Sequence, residues 1–328
     1  MIANPDGDLH VYVVSVGQGD CSIIITPLGH VIVIDAMRPT KVVNLLNGLG
    51  LPNGGVIEHL LITHPHTDHF SGGNRLAQTF DIQEATLAPF WHEFGMGPPT
   101  YRAIAGRLED QGTNVTFLSG YARLYPDGAL TPPGADDPDL DDDAPYLEML
   151  GPTNALVEEI EDANIFNTNH LTIMTRLSFR NFRMVSAGDA QIENWRFFGS
   201  ERMMEGGCTV LRAAHHGSKN GTQWEQIDRL DPSRVIVSSD PGSQHHIPDL
   251  TGAAVFATFD DQNGRSAFLT RNTGTIHIRK RPTGGAPTYE RFDDDPGQDV
   301  NLGAGVGLTP AGNPTDWTDL VEQRIQEL

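Results

Sequence analysis

Cysteine is the scarcest chemistry here: 328 residues contain only Cys21 and Cys208. Two thiols so far apart give no disulfide framework and no Cys-x-x-Cys metal knuckle, and they fit a reducing, cytoplasmic setting. Lysine is nearly as rare, with Lys41, Lys219 and Lys280 alone. Against 22 basic residues stand 43 acidic ones, a formal net charge of −21. Such a chain repels polyanions unless a local basic patch or bound cations compensate. The acidity suits both a high-salt cytoplasm and an ordinary acidic protein. No apolar run approaches the ~18 residues that a membrane helix needs. The N-terminus "MIANPDGDLH" lacks the basic and apolar regions of a secretory leader. A cytoplasmic protein with no membrane contact, or a chain cut from a larger product, is therefore expected.

What is present is apolar sequence in short, punctuated runs. The hydrophobic fraction is 38%, enough for one large α/β domain or two modest ones. "HVYVVSVGQGDCSIIIT" reads as strand, glycine turn, strand, and "GHVIVIDAM" as a third strand ending in Asp35. "VVNLLNGLG" has leucines at helical spacing and stops at glycine. Further strands are expected in "IEHLLIT", "YLEMLGP", "HLTIMTRLSFRNFRMVSAGD", "CTVLRAAHHGS" and "VIVSSDPGS", with a closing hairpin in "SAFLTRNTGTIHIRKR". Residues 126–145 carry Pro, Gly and Asp without an apolar period; a solvated acidic loop is expected, because the Asp spacing does not match an EF-hand. The main domain is taken as 1–281. Residues 282–328 form a Gly/Pro/Asp-rich tail ending in an amphipathic helix, with Thr315 as N-cap and Trp317, Leu320, Val321 and Leu328 on or near one stripe. That helix is a candidate surface for a protein partner or self-association.

Polar, metal-capable residues recur at the ends of the buried runs: Asp35, the stretch "THPHTDHFSGG" (63–73), Asp189, His215 with His216, and Asp240 followed by His245 and His246. One histidine at a strand end is usually structural. Five such ends on one chain converge in space if their strands share a sheet edge. Within the densest stretch, His64, His66, Asp68 and His69 fall in six positions.

The segments "VGQGDCSIII", "VIVIDA", "LITHPHTDHFSGG", "NHLTIMTRL", "MVSAGDA" and "LRAAHHGS", in this order, resemble the metallo-β-lactamase-fold hydrolases, and among them the hydrolase domain of ComEC-type DNA-uptake proteins. The resemblance spans roughly residues 10 to 280. It implies an α/β fold, a four-layered αβ/βα sandwich, with two divalent metal ions, zinc or manganese. His64 and His66 would reach the first ion and Asp68 and His69 the second. Asp189 would bridge them and His215 complete the second site. His170, with Asn169 behind it, is the candidate third ligand of the first ion. His216, adjacent to His215 on a chain taken as extended, is expected to face substrate. Asp35 would orient the histidine loop, Asp20 and its glycines would shape a hairpin, and Cys21 would simply pack.

The implied chemistry is attack by a water that two ions hold between them and acidify to hydroxide, at a carbonyl or phosphorus centre. Asp68 and His216 are the expected catalytic residues, together with His246, which would bind phosphate or protonate the leaving oxygen; His245 is its alternative, and Ser218 and Lys219 could assist. The ComEC-type resemblance implies a phosphodiester substrate, possibly DNA, and a phosphodiesterase or nuclease. A hydrolase of small esters or lactones, and an accessory subunit that keeps its metals for structure, are the competing readings. Arg271, Arg279, Lys280, Arg281 and Arg291 are the only basic concentration; a solvated hairpin and tail explain them better than nucleic-acid contact does.

Overall fold

A computed structural model describes residues 1–89, 99–125, 130–131, 144–198 and 205–328. Most of the acidic loop expected at 126–145 lies outside the described residues. The described strands are β1 (Leu9–Val13), β2 (Ser22–Ile25), β3 (Val31–Ile34), β4 (Val56–Ile62), β5 (Asp81–Leu87), β6 (Asn114–Phe117), β7 (Tyr121–Leu124), β8 (Leu130–Thr131), β9 (Tyr146–Leu150), β10 (Met174–Phe179), β11 (Phe182–Ser186), β12 (Val210–Arg212), β13 (Arg234–Val237), β14 (Ser266–Leu269), β15 (Thr275–Lys280), β16 (Thr288–Phe292) and β17 (Val306–Gly307). The helices are α1 (Pro39–Gly48), α2 (Thr67–Phe70), α3 (Gly73–Thr79), α4 (Pro99–Asp110), α5 (Asn154–Asp162), α6 (Ile192–Phe198), α7 (Trp224–Leu230), α8 (Leu250–Asp260), α9 (Thr270–Thr273) and α10 (Trp317–Gln326).

The strands form two sheets, ordered β17-β16-β15-β1-β2-β3-β4-β5-β6 and β14-β13-β12-β11-β10-β9-β7-β8. Alternation along the strands sorts their side chains into three cores. Tyr12, Ile23, Ile25, Val31 and Val33 pack outward with Val42, Leu46, Leu76 and Ile104 of α1, α3 and α4. Val11, Val13, Ile24, Ile32 and Ile34 face inward and share a core with Leu177, Met184, Val210 and Ile236 of the second sheet. On that sheet's outer side, Val185, Leu211 and Val235 meet Ile227, Phe256, Phe259, Trp317 and Leu320 of α7, α8 and α10. The order helix, sheet, sheet, helix is the four-layered αβ/βα sandwich that the sequence predicts.

The tail is built into both layers rather than appended. β16 pairs antiparallel with β15, and Phe292 reaches the first core. Buried Lys41 donates to the Ser15 carbonyl (2.8 Å), to the Asp295 carbonyl (2.9 Å) and to the Asp294 carboxylate, which ties residues 294–295 to α1. The last helix starts one residue later than expected. Asp316 caps it by accepting from the Asp319 N–H, while Thr315 Oγ accepts instead from the Leu269 N–H. Its inner stripe includes Arg324, whose Nε donates to the Pro248 carbonyl, whereas Leu328 is exposed. Among the described residues no helix is long and apolar enough to cross a membrane.

Candidate metal centre

Parallel pairing sets the site. β3 lies parallel to β4, and β11, β12 and β13 are mutually parallel, so their C-terminal ends meet at one edge of the sandwich. From β4 the chain runs through Thr63 and His64 to His66, whose extended backbone opens the single turn of α2 and delivers Asp68 and His69. From β11 it passes Gly188 to Asp189, and from β12 it enters a tight turn holding His215 and His216. The glycine turn after β1 closes one side. Gly19 has φ +140°, and a Cβ there would stand 2.6 Å from the Asp68 carbonyl oxygen, so only glycine lets Asp20 N–H donate to that carbonyl (3.0 Å).

Asp189 is the centre. Its Oδ2 lies 3.4 Å from His64 Nε2 and 3.8 Å from His215 Nε2. Its Oδ1 lies 3.2 Å from His69 Nε2 and 3.4 Å from His216 Nε2. Among the groups of potential ligands, His64–His66–Asp189 and Asp68–His69–His216 share no residue and lie on the two sides of Asp189, each with its ligand atoms within 4.8 Å of one another; Asp20 adds two more, with Asp35 and His69 and with Asp189 and His216. His64 Nε2, His69 Nε2, His216 Nε2 and Asp189 Oδ1 are buried and have no hydrogen-bond partner. Leaving one such atom unsatisfied costs about 1–3 kcal/mol. Four aimed at one point fit bound cations, and two groups on either side of one carboxylate fit two divalent ions. The donors are nitrogen and oxygen alone, a set that suits zinc or manganese.

A ring of partners aims these atoms. Asp35 accepts from the Thr63 N–H (2.8 Å) and from His69 Nδ1 (2.9 Å), leaving His69 Nε2 for a metal. His216 Nδ1 donates to the Ser238 carbonyl (2.9 Å), and His215 Nδ1 meets Ser218 Oγ (3.0 Å). Beneath them Asp20 pairs with the buried Arg212 guanidinium. Burial opposes charge on His69 and His216, but carboxylates together outweigh it, Asp189 and Asp35 at His69 and Asp189, Asp68 and Asp20 at His216: the His69 pKa rises well above the ordinary value and that of His216 to about 9. Burial likewise opposes charge on Asp189, yet His216 and His69 hold it well below the usual carboxylate range. Burial lowers His66 to about 4 and also lowers His215. One half of the centre thus attracts protons that a cation would displace, and in the other half burial favours the neutral form of His66 and His215.

Three expectations change. The two adjacent histidines exchange roles in space: buried His216 joins Asp68 (3.3 Å) and His69, while His215 turns toward His64 and Asp189 Oδ2. His170 does not reach the cluster. Its Nδ1 accepts from the Asn167 N–H (3.1 Å), capping a short turn, and its Nε2 faces Glu193 (3.3 Å). Asn169, one residue earlier, is the residue that approaches, with Nδ2 3.3 Å from His215 Nε2. His246 points outward, 3.6 Å from Glu327 of the last helix, and it is His245 that borders the cleft. That cleft, of about 820 Å³, opens over Asp68, Asp189, His215 and His216, and Gln18 and Arg38 also line it. Sequence reasoning singled out none of Arg212, Gln18 and Arg38; Gln18 and Arg212 lie inside the quoted segments "VGQGDCSIII" and "LRAAHHGS", and an arginine within the apolar run "TVLRAA" is the signal that would have pointed to a buried carboxylate.

The metallo-beta-lactamase superfamily profile matches residues 14–238. The chain belongs to that superfamily. Its fold and its cluster of candidate ligands fit a metal-dependent hydrolase of that superfamily. No curated protein matches the chain. Among solved structures it is similar to the CmlA beta-hydroxylase E377D mutant, with 14% identity, a TM-score of 0.50, and coverage of 84% of this chain and 54% of that one. The chain thus spans about half of that hydroxylase's length. The metallo-beta-lactamase fold protein YhfI from Bacillus subtilis is 10% identical, with a TM-score of 0.45 over 80% of this chain and 96% of that one. Zn(2+)-bound PqqB from Methylobacterium extorquens is 12% identical, with a TM-score of 0.46 over 79% and 97%.

Proposed function

We propose that this protein is a dinuclear-metal phosphodiesterase acting on a small anionic phosphodiester. The observation that carries the reading is Asp189 set between two groups of unpartnered ligand atoms at the floor of an open cleft. Bound there, two divalent ions would acidify a water and take up charge on the attacking and leaving oxygens of an in-line displacement at phosphorus. The protein's own part is to aim: Asp35 and the Ser238 carbonyl fix the His69 and His216 rings, and Asp68 faces His216 from the cleft side.

Charge favours a small substrate over a long nucleic acid. Four of the five cations that might have formed a track are engaged elsewhere. Arg279 pairs with Asp8 and Asp6, Arg271 with Asp295 and Asp240, and Arg291 with Asp293, while Lys280 binds Asn181 and the Gly285 carbonyl. The cleft adds Asp68, Asp189 and Asp240 against a single arginine. The test is hydrolysis of bis(p-nitrophenyl) phosphate by protein loaded with zinc or manganese, beside DNA, a lactone and a lactam. Turnover of the reporter, lost in Asp68→Ala, supports the reading. Lactone turnover with inert phosphodiesters overturns it in favour of an ester hydrolase. Efficient DNA cleavage with a steep salt dependence would contradict the small-substrate part alone.

A further inference from the structure

Among the described residues, one long cation lines the cleft over the metal centre. Arg38 lines the cleft, is solvent-exposed, and forms no ion pair among the described residues. Its Nε donates to the Val16 carbonyl at 3.4 Å, which lays the guanidinium against the turn that carries Gln18 and leaves its two terminal amino groups free. Its backbone is also unusual. Arg38 sits at φ 57°, ψ 61°, the left-handed region that disfavours a side chain, just before Pro39 opens α1. Glycine would take that conformation without strain, so an arginine held there signals a use for the side chain. The position is rigid, because Met37 N–H donates to the Asp20 carbonyl (3.1 Å) and Ala36 N–H to the His69 carbonyl (2.6 Å).

Gln18 stands on the same rim with its amide already oriented. Its Oε1 accepts from Ser243 Oγ at 3.5 Å and lies 3.1 Å from Ser239 Oγ, whose single proton goes to the Ile247 carbonyl (2.5 Å). With Ser243 at the acceptor end, the Nε2 hydrogens are left as donors to the cleft. A guanidinium fork beside a fixed amide donor matches the oxygens of phosphate.

We propose that Arg38 and Gln18 form an anion-recognition subsite that binds a phosphate oxygen of the substrate beside the metal centre, and so select phosphate esters over neutral esters. The proposal deepens the phosphodiesterase reading and rests on it for the identity of the substrate. Its test does not require turnover. Inorganic phosphate is titrated calorimetrically into zinc-loaded wild type, Arg38→Gly, Arg38→Lys and Gln18→Ala, with metal content measured in each. Arg38→Gly removes the guanidinium and relieves the left-handed strain. It should melt no lower than wild type, keep its zinc, and bind phosphate at least about tenfold more weakly. Arg38→Lys keeps the charge without the fork and should fall between, and Gln18→Ala should weaken binding about threefold. In kinetics with bis(p-nitrophenyl) phosphate, Arg38→Gly should raise KM more than it lowers kcat. Phosphate affinity within twofold of wild type in Arg38→Gly at equal zinc content would overturn the subsite, as would a zinc-loaded wild type that binds no phosphate. Arginine-dependent phosphate binding without any phosphodiester turnover would uphold the subsite and overturn the function proposed above.

Discussion

Replacing Asp35 by asparagine separates the aim of the metal centre from its ligands. Asp35 is fully buried, has φ +58°, and meets His69 at Nδ1, while His69 Nε2 faces Asp189. Asparagine tolerates that left-handed backbone, so the change is confined to the carboxylate. In the native chain Oδ1 accepts from the Thr63 N–H (2.8 Å), and Oδ2 accepts from Thr63 Oγ (2.8 Å) and His69 Nδ1 (2.9 Å). An amide has one oxygen for these donors. If it serves Thr63, the amide N–H faces His69 Nδ1 and drives the ring proton onto Nε2, the atom needed by a metal. If it serves His69, two N–H groups collide at Thr63. Either way a buried group loses its partner, at about 1–3 kcal/mol. Loss of a partner that orients a metal-binding histidine typically weakens affinity about 10–100-fold, or about 1.4–2.7 kcal/mol. Competition with a chromophoric chelator should therefore show Asp35→Asn holding one ion near wild-type affinity and the other 10–100-fold more weakly. Wild-type affinity for both ions, with unaltered melting, would refute the idea that Asp35 sets the His69 tautomer.

Other perturbations separate neighbouring roles. His170→Ala should keep its metal content by elemental analysis and lose about 1 kcal/mol in urea unfolding, because the ring caps a turn rather than facing the cluster. Gly72→Ala would place a Cβ 2.1 Å from the Ala36 carbonyl oxygen, in a contact where Ala36 also bonds the His69 carbonyl. Overpacking of about 1–3 kcal/mol is expected in thermal melts, with weaker metal uptake. Burial lowers the His59 pKa from 6.5 to about 4. Its stabilisation is complete above pH 6.5 and declines as acidity charges the unfolded chain first, on the order of 3 kcal/mol by pH 4. His59→Gln should flatten that part of the stability profile, and an unchanged slope would exclude His59 as its source.

Much of the scaffold was legible because its signals are local. Short apolar runs bounded by glycine became β1 to β4, and the helical leucine spacing became α1. The convergence of Asp35, the 64–69 cluster, Asp189 and the 215–216 pair followed from their common place at strand ends. What escaped depended on contacts between distant segments. Nothing near residue 41 shows that a lysine will be buried against Asp294, so the tail read as an appendage. His170 lies one residue from a cleft position, yet Asn167 and Glu193 hold its two nitrogens, and neither contact has a periodic signature. His246 is turned away by a left-handed backbone (φ 50°) that no neighbouring glycine announces.

The exchange between His215 and His216 has a sharper cause. On an extended chain neighbouring side chains diverge, which would put one imidazole at the metals and one away from them. Here both residues are left-handed, at φ 50°, ψ 47° and φ 53°, ψ 22°. The backbone turns within two residues and delivers both rings to Asp189, one to each carboxylate oxygen. Each left-handed residue costs roughly 1–2 kcal/mol, and no protein hydrogen bond to His216 Nε2 offsets it. The anchors around the turn, His215 N–H to the Gly188 carbonyl (2.8 Å) and His216 Nδ1 to the Ser238 carbonyl (2.9 Å), hold the strain in place without removing it. Coordination at both Nε2 atoms supplies the missing compensation. The strained turn and the unpartnered His216 Nε2 are therefore one design seen twice: a conformation unfavourable for the bare chain, which metal binding makes favourable.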